Sequence, residues 1–577
     1  MYQPNLSPLA DSLAFSALVA VLPLLTLFLL LGGLRLKAHW AGLASLAVAI
    51  AVAVACYGMP VKLALLSATE GASFGLFPIM WIVLTAIWLY QLTVVTGRFE
   101  DLRRAFGLIS HDPRVQAVII AFCFGALLEA LAGFGAPVAI TGVMLMALGF
   151  APTRAAITVL VANTAPVAFG AIAIPIITAG TLTKIPYTEI GAYVGRQTPL
   201  LAFFVPLLLV VLVDGRRGVR ETWPVAVVCG AVFAVAQFVS SNFISVELTD
   251  IIASLAALVA VVLFLRVWQP VGGEEARADL MRDRETESGA GSGADSYGGV
   301  PSSGASGEGG GAATVTRPAP GDAATAERPG NGRVVMAFLP YLIVIAVFSL
   351  AKLWTPAKEF LATTDLKIGW PGLDGQVLTA AGKSSTATVY TLPWLSSPGT
   401  LLLLSGVLVA AVYRVGPLAA VRELGATVVR LRWAMLTVAS VLALAYVMNL
   451  SGQTITIGTW IAGAGAAFAF LSPILGWLGT AVTGSDTSAN ALFATLQQTA
   501  AHQAGLDPTL LVAANTSGGV VGKMISPQNL TIAATAVGLV GRESVLFRGA
   551  IKWSLLLLLA LCVLVMLQST VLAWMLP

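Results

Sequence analysis

Long apolar runs dominate the chain, and short polar segments rich in arginine separate them. Many of these runs exceed the roughly 18 residues that mark a candidate membrane-spanning helix. The first run, Leu13 to Leu34, is long enough to span, and no basic segment precedes it, so we expect a retained span rather than a cleaved signal. The pattern predicts an all-α polytopic membrane protein with about 12–14 membrane segments.

Two apolar stretches, residues 115–185 and 472–540, are interrupted by glycine and proline. The first contains G-F-G-A-P from Gly133, with Glu129 one turn earlier, and the second contains T-G-S-D-T-S around Asp486. Non-helical backbone at membrane depth is tolerated only where it is buried in protein or lines a water-filled cavity. We therefore predict broken helices or re-entrant hairpins in both stretches.

The interruptions recur with the same spacing in the two halves. Asn163-Thr164 begins the pattern N-T-x(5)-G-x(4)-P, and Asn515-Thr516 begins it again about 350 residues later. We expect the helix to break at both pairs. The span before the first stretch ends at an arginine cluster, whereas the span before the second begins at one, so the two repeats should be inverted relative to each other. Inverted repeats place a binding site between them and imply alternating access.

The same pattern divides the chain into segments of different character. The broken regions are expected to form a transport domain, and the continuous spans are expected to form its scaffold. In order, the segments are scaffold spans 1–114, broken-helix region 115–185, scaffold spans 186–269, linker 270–332, scaffold spans 333–471 with an external loop at 354–396, broken-helix region 472–540, and a last span within 541–577. The linker is rich in glycine and serine, which predicts a disordered segment.

Charge is sparse, with 10% of residues charged and a net charge of +4. The basic residues form clusters between spans, which indicates topology rather than nucleic-acid binding. Their positions predict a periplasmic N-terminus and a cytoplasmic linker at 270–332. Four cysteines lie in apolar runs, and three histidines are scattered, so neither residue type predicts a metal site. No nucleophile–base constellation predicts an enzyme, and no cofactor is expected.

Four ionisable groups fall near the predicted midplane, Glu129, Asp486, Lys523 and Arg196. Intramembrane charges are costly and usually functional. Helix N-termini that follow the breaks favour anions, and Lys523 adds a full positive charge. The residues expected to bind a substrate anion are Gly133, Gly135, Asn163, Thr164, Ser485, Thr487, Asn515, Thr516 and Lys523. Glu129 or Asp486 is expected to carry a coupling proton, because burial favours the neutral form of a carboxyl group.

Two structural interpretations compete with this assignment. Lys523 and a carboxylate could form an internal ion pair that only holds helices together. The asparagine and threonine side chains could only cap the broken helices. The residues alone leave both interpretations open.

Four stretches resemble the L-lactate permease family of bacteria, namely LLEALAGFGAPVAITGVML, VLVANTAPVAFGAIAIPI, GSDTSANALFATLQQTAA and AANTSGGVVGKMISPQNLTIAA. The resemblance covers most of the chain outside the 270–332 linker and the 355–395 loop. It implies a symporter of the bacterial plasma (inner) membrane that takes up L-lactate and glycolate with protons. The A-N-T motifs are also similar to the S-N-T tips of a broader ion-transporter superfamily, in which a mobile domain moves like an elevator against a scaffold. Ala162 and Ala514 stand where that motif has its first serine, which favours protons over sodium.

Other functions remain compatible with the residues. A cation/proton antiporter would use Glu129 and Asp486 on ions alone, and a symporter could carry another small organic anion at the same site. A membrane sensor with the linker as its output would need a folded cytoplasmic domain, which the linker composition does not predict. The lead interpretation is a proton-coupled symporter of small 2-hydroxymonocarboxylates in the lipid bilayer. The scaffold could form a homodimer.

Overall fold

A computed structural model describes residues 1–34, 36–107, 109–131, 133, 135–292, 331–379 and 382–577. Within these residues, nine helices are long and apolar enough to cross a membrane, or ten if one bent pair is counted as a single span. These helices confirm the helical polytopic membrane protein. The total of 12–14 membrane segments stays a prediction, because several long helices are kinked; one example is Thr198–Val239, which leaves helical geometry at Asp214 and Gly215.

The first half of the chain forms fifteen helices among the described residues. They are α1 (Leu13–Ala20), α2 (Leu22–Phe28), α3 (Ala38–Ala55), α4 (Val61–Phe74), α5 (Trp81–Val95), α6 (Arg98–Gly107), α7 (Pro113–Ala117), α8 (Gly125–Leu131), α9 (Ala136–Ala147), α10 (Pro152–Ala162), α11 (Gly170–Thr183), α12 (Tyr187–Val194), α13 (Thr198–Val239), α14 (Thr249–Phe264) and α15 (Gly273–Ser292). Turns of π-helix or 3-10 helix extend or join them at Leu29–Gly33, Gly75–Met80, Val118–Phe124, Val167–Phe169 and Ser240–Ile244.

The second half adds ten helices and a small hairpin among the described residues. They are α16 (Asn331–Leu353), α17 (Thr355–Thr363), β1 (Leu366–Gly369), β2 (Val389–Leu392), α18 (Pro398–Val412), α19 (Pro417–Ser451), α20 (Gln453–Ile461), α21 (Phe468–Thr483), α22 (Asp486–Ala504), α23 (Pro508–Gly522), α24 (Pro527–Val537) and α25 (Glu543–Gln568). The strands are antiparallel, with Leu366 opposite Leu392. They lie in the predicted loop 354–396, so the fold departs there from the all-α prediction.

The two glycine breaks lie where the sequence predicts them. Helix α8 ends at Leu131 and α9 begins at Ala136, with φ angles of 45° at Gly133 and 85° at Gly135. Helices α21 and α22 are separated at Gly484, where φ is 78°. Glycine adopts such positive φ angles without the steric penalty that a Cβ atom brings. Both breaks are therefore confirmed.

Only one of the two predicted breaks at Asn-Thr is present. Helix α10 ends at Ala162, and the chain bends by 63° before it continues. Asn515 and Thr516 instead lie inside the continuous helix α23, so the prediction of a break there was wrong. Three residues after its asparagine, the first pair has Pro166, which lacks a backbone N–H and disfavours helix in the residue before it. The second pair has Gly518 at that position, and the chain leaves α-helix only at Lys523–Ile525.

The beginning of the predicted linker is not disordered. Residues 273–292 form helix α15, and Ala276 and Leu280 in it are buried. This part of the linker carries charged helix-forming residues, whereas the glycine and serine that dominate the average composition follow it. The prediction of disorder was therefore wrong for α15. The rest of that prediction, at 293–330, lies outside the described residues.

The core brings the two broken regions together. The stretch from α7 to α8 is buried along its whole length, and α8 packs against α9, α11 and α14. In the second region, α21 packs so closely against α23 that a Cβ atom on Gly476 or Gly518 would collide with backbone carbonyl groups of the facing helix. The breaks of both regions thus lie deep in the protein.

Candidate functional site

A cavity lies where the two glycine breaks meet. Residues from both halves of the chain line it, and Lys523 is the only cation among the described lining residues. The lining residues are Glu129, Gly133, Val167, Gly170, Ala171, Ile174, Pro175, Gly484, Ser485, Asp486, Thr487 and Lys523. The cavity therefore combines an apolar wall from the first half with charged and hydroxyl groups.

Lys523 and Glu129 form an ion pair in this cavity. The Lys523 ammonium donates to Glu129 Oε1 at 2.5 Å, and both side chains are more than nine-tenths buried. The second carboxylate oxygen of Glu129 accepts a hydrogen bond from Asn163 Nδ2 at 3.0 Å. The chain turns at Lys523–Ile525 after α23, which aims the ammonium at the end of α8. Such a pair must have well-placed partners to offset the cost of removing both charges from water.

The backbone at Gly170 lies close to the Glu129 carboxylate because glycine has no side chain. A Cβ atom on Gly170 would lie 3.0 Å from Glu129 Oε1, so a side chain there would crowd the carboxylate. The next three residues, Ala171–Ala173, have φ angles of 45°, 59° and 58°. Consecutive non-glycine residues in the left-handed region are uncommon and carry strain. The apolar wall of the cavity is thus built from irregular backbone.

Asp486 is the second carboxylate of the cavity, in the first turn of α22. Ser485 caps this helix by accepting from Ser488 N at 3.3 Å, and a negative charge is favoured at a helix N-terminus. Asp486 is 3% exposed. Its Oδ1 accepts a long bond of 3.4 Å from Thr480 Oγ1, while its Oδ2 has no partner. The carboxylate lies against α23 at Gly519, where an added Cβ atom would collide with it.

Two acceptor oxygens near the ion pair have no hydrogen-bond donor. They are Asp486 Oδ2 and Asn163 Oδ1, and both are buried. A buried acceptor without a donor costs roughly 1–3 kcal/mol. A ligand hydroxyl or an acid proton would supply the missing donor.

The predicted site residues fall into two groups. Glu129, Gly133, Ser485, Asp486, Thr487 and Lys523 line the cavity, and Asn163 reaches it through Glu129. The other four do not line it. Gly135 faces Ile532 on α24, Thr164 lines a separate pocket, and Asn515 and Thr516 both donate to Asn490 Oδ1 at 3.0 Å. Asn515 and Thr516 therefore join α23 to α22, and their assignment to substrate binding stays a prediction.

The sequence interpretation missed a further buried acid, Asp250. It lies in the first turn of α14, is fully buried, and accepts a 3.3 Å bond from Gln237 Nε2. The signal was present, since a carboxylate in an apolar run is itself informative. Asp250 stands at the edge of an apolar run, so its depth in the protein depends on how α14 packs. In the part of the chain that the structure describes, no group of three or more His, Cys, Asp or Glu side chains could hold a metal ion.

Comparison with known proteins identifies close relatives over the whole chain. The profile of the family described as L-lactate permease matches residues 16–572. A glycolate permease of Escherichia coli (strain K12) is 42% identical over 100% of this chain and 99% of its own. An L-lactate permease of Salmonella typhi is 42% identical over 100% of both chains. An L-lactate permease of Bacillus subtilis (strain 168) is also 42% identical, over 99% of both.

Proposed function

The chain belongs to the L-lactate permease family, and we propose that it takes up L-lactate and related small 2-hydroxymonocarboxylates such as glycolate, coupled to protons. The relatives named for these two substrates support the substrate class. The family consists of permeases, which agrees with a multi-pass protein of the inner membrane. The observation that carries the proposal is the Lys523–Glu129 pair in the cavity.

Lys523 is the group that binds the carboxylate of the substrate. It is the only cation among the described lining residues, and Glu129 is its ion-pair partner. A monocarboxylate carries the same charge as Glu129 and the same pair of acceptor oxygens. It can therefore replace Glu129 as the partner of Lys523 without changing the net charge of that contact.

The replacement explains why a proton must accompany the substrate. Once Glu129 loses Lys523, an ionised carboxylate would remain in a buried, apolar setting, which is costly. Protonation of Glu129 removes that charge and leaves Asn163 as its hydrogen-bond partner. One proton on Glu129 for each carboxylate on Lys523 is the stoichiometry that this exchange supports.

The remaining polar groups suit a 2-hydroxy acid. Asp486 Oδ2 and Asn163 Oδ1 lack donors, and a substrate hydroxyl can donate to one of them. Ser485 and Thr487 add hydroxyl groups on the same side. Val167 and Ile174 face the cavity as well, which gives the methyl group of lactate an apolar surface. Glycolate lacks that methyl and would lose only this contact.

We further propose that the cavity opens alternately to the two sides of the membrane. Helices α8–α11 and α21–α24 would form the mobile transport domain as inverted repeats, and the other spans would form a scaffold that could be a homodimer. The matched breaks at Gly133 and Gly484 support the repeat. The arginine clusters support a periplasmic N-terminus and a cytoplasmic α15.

Transport by the purified protein tests this function directly. Proteoliposomes should accumulate radiolabelled L-lactate above equilibrium only under an inward proton gradient, and excess glycolate should block it. Proteoliposomes with the Lys523→Ala variant are the matched control and should not accumulate lactate. Lactate accumulation driven by sodium alone would contradict proton coupling. Cation flux without any organic anion would favour the antiporter, and accumulation of a different anion would favour the other symporter.

A further inference from the structure

Asp250 places a third membrane-buried carboxylate next to the cavity. It lies on α14, which packs against α8, α11 and α13, and its side chain is fully buried. It does not line the cavity. The proposed exchange between Glu129 and the substrate does not use it.

The contacts of Asp250 suit a neutral acid rather than a carboxylate. Its Oδ1 accepts from Gln237 Nε2 at 3.3 Å, and the same nitrogen also lies 3.3 Å from Ala165 O. Its Oδ2 has no partner, and no ion pair reaches it from the described residues. A buried carboxylate with one long hydrogen bond is poorly stabilised, whereas protonation of Oδ2 removes the charge.

Glu129 and Lys523 are the charged groups that act on Asp250. Glu129 repels a negative charge there and Lys523 attracts one. While these two groups are paired at 2.5 Å, their effects largely cancel. When Glu129 is neutral and no substrate is bound, Lys523 lacks a counter-charge, and an ionised Asp250 would supply it.

We propose that Asp250 is a second proton-binding site. Asp250 and Glu129 are ionised in turn, and whichever of them is ionised balances the single positive charge of Lys523. This inference rests on the proposed function. In the empty protein, Asp250 carries the proton and Glu129 is ionised. Before the substrate binds, the O–H bond of Asp250 breaks and one forms on Glu129, so the net charge of the three groups is unchanged. When the substrate carboxylate binds Lys523, Asp250 takes up a proton from solution.

A second buried acid provides a matched control. Glu70 on α4 is also fully buried, and both of its carboxylate oxygens lack partners. The charged groups that act on it are Lys184 and Asp374 rather than the cavity pair. Glu70→Gln therefore makes the same chemical change as Asp250→Asn, at a buried acid outside the site.

Two transport assays on these variants test the inference. The first is exchange of labelled for unlabelled lactate across proteoliposomes, which needs no net proton movement, and the second is gradient-driven accumulation. Asp250→Asn should keep exchange but lose accumulation above equilibrium, Asp250→Glu should restore accumulation, and Glu70→Gln should behave as wild type. Accumulation by Asp250→Asn at the wild-type level would overturn the proposal. Loss of exchange together with accumulation, without rescue by Asp250→Glu, would also overturn it by making Asp250 structural.

An infrared measurement separates this inference from the function on which it rests. The purified wild-type protein in lipid at neutral pH should show the carbonyl stretch of a protonated carboxyl group that Asp250→Asn lacks and Glu70→Gln retains. Identical spectra for wild type and Asp250→Asn would overturn the protonated state of Asp250. If the wild-type protein carries no lactate, the proposed function fails, while this band still decides the protonation of Asp250.

Discussion

Lys523 donates a hydrogen bond to Glu129 at 2.5 Å, although 394 residues separate them in the chain. The contact joins the broken helix of one half to that of the other. It also identifies Glu129 as the acid that the buried lysine faces.

Lys523→Ala should abolish lactate accumulation and also destabilise the protein. Removing one partner of a buried pair leaves an uncompensated charge, which costs about 3–5 kcal/mol. The double variant Glu129→Gln with Lys523→Met should regain much of this stability but no transport. Thermal unfolding of the detergent-purified proteins and lactate uptake measure the two effects. A Lys523→Ala protein with normal lactate affinity would exclude Lys523 from substrate binding.

Glu129→Gln should separate lactate exchange from proton-driven accumulation. Glutamine resembles the protonated acid, so Lys523 is free to bind the substrate. The variant lacks the carboxylate that would bind the coupling proton. Exchange of labelled lactate should continue, and an imposed pH gradient should no longer produce accumulation. The control is Glu543→Gln, which changes the same residue type at the N-terminus of α25, away from the cavity. Unchanged accumulation in Glu129→Gln would make Glu129 structural.

Gly519→Ala should damage the cavity by crowding Asp486. The added Cβ atom would lie 2.6 Å from Thr480 Oγ1 and even closer to the Asp486 carboxylate. Such overpacking typically costs about 1–3 kcal/mol, so both thermal stability and the affinity for lactate should fall. Gly425→Ala in α19 is the matched control, because its Cβ atom meets nothing within 4 Å. Equal behaviour of the two variants would disprove the close approach at Gly519.

Helix α15 should be protected from amide hydrogen exchange, and weakening its ion pairs should reduce that protection. Arg154 binds Asp283 at 2.7 Å, and Arg217 binds Asp279 at 2.8 Å. These partly exposed pairs are worth about 0.2–1 kcal/mol each, so Arg154→Gln with Arg217→Gln should raise exchange moderately. Arg282→Gln is the control, since its pair with Asp279 lies within α15. Full exchange of residues 273–292 in the wild type would contradict a docked helix.

Some parts of the site follow from local chemistry and could be predicted. Two glycines followed closely by a proline in an apolar stretch identify the break at Gly133, and a carboxylate in such a stretch identifies Glu129. The sequence also suggested a lysine–carboxylate pair as an alternative to substrate binding. It could not tell that Glu129 rather than Asp486 is the partner of Lys523, because that depends on how helices from the two halves pack.

The errors have equally local causes. The repeat suggested a break at Asn515 because the motif matched, but the bend at Asn163 depends on Pro166, which has no counterpart there. The average composition of the linker, rich in glycine and serine, conceals the helix-forming residues of α15. In the sequence Asp250 stands at the edge of an apolar run, and only the packing of α14 on α8 brings it to the core.

The single charge of Lys523 has a consequence for energetics. In the proposed cycle it is balanced by Glu129 in the empty state and by the substrate carboxylate in the loaded state. Moving one elementary charge across 100 mV is worth about 2.3 kcal/mol. A domain that carries the same net charge when it moves empty and when it moves loaded gains no free energy from the membrane potential over a full cycle. Accumulation of the substrate should then follow the pH difference alone, and collapsing the electrical potential with potassium and an ionophore should leave it unchanged.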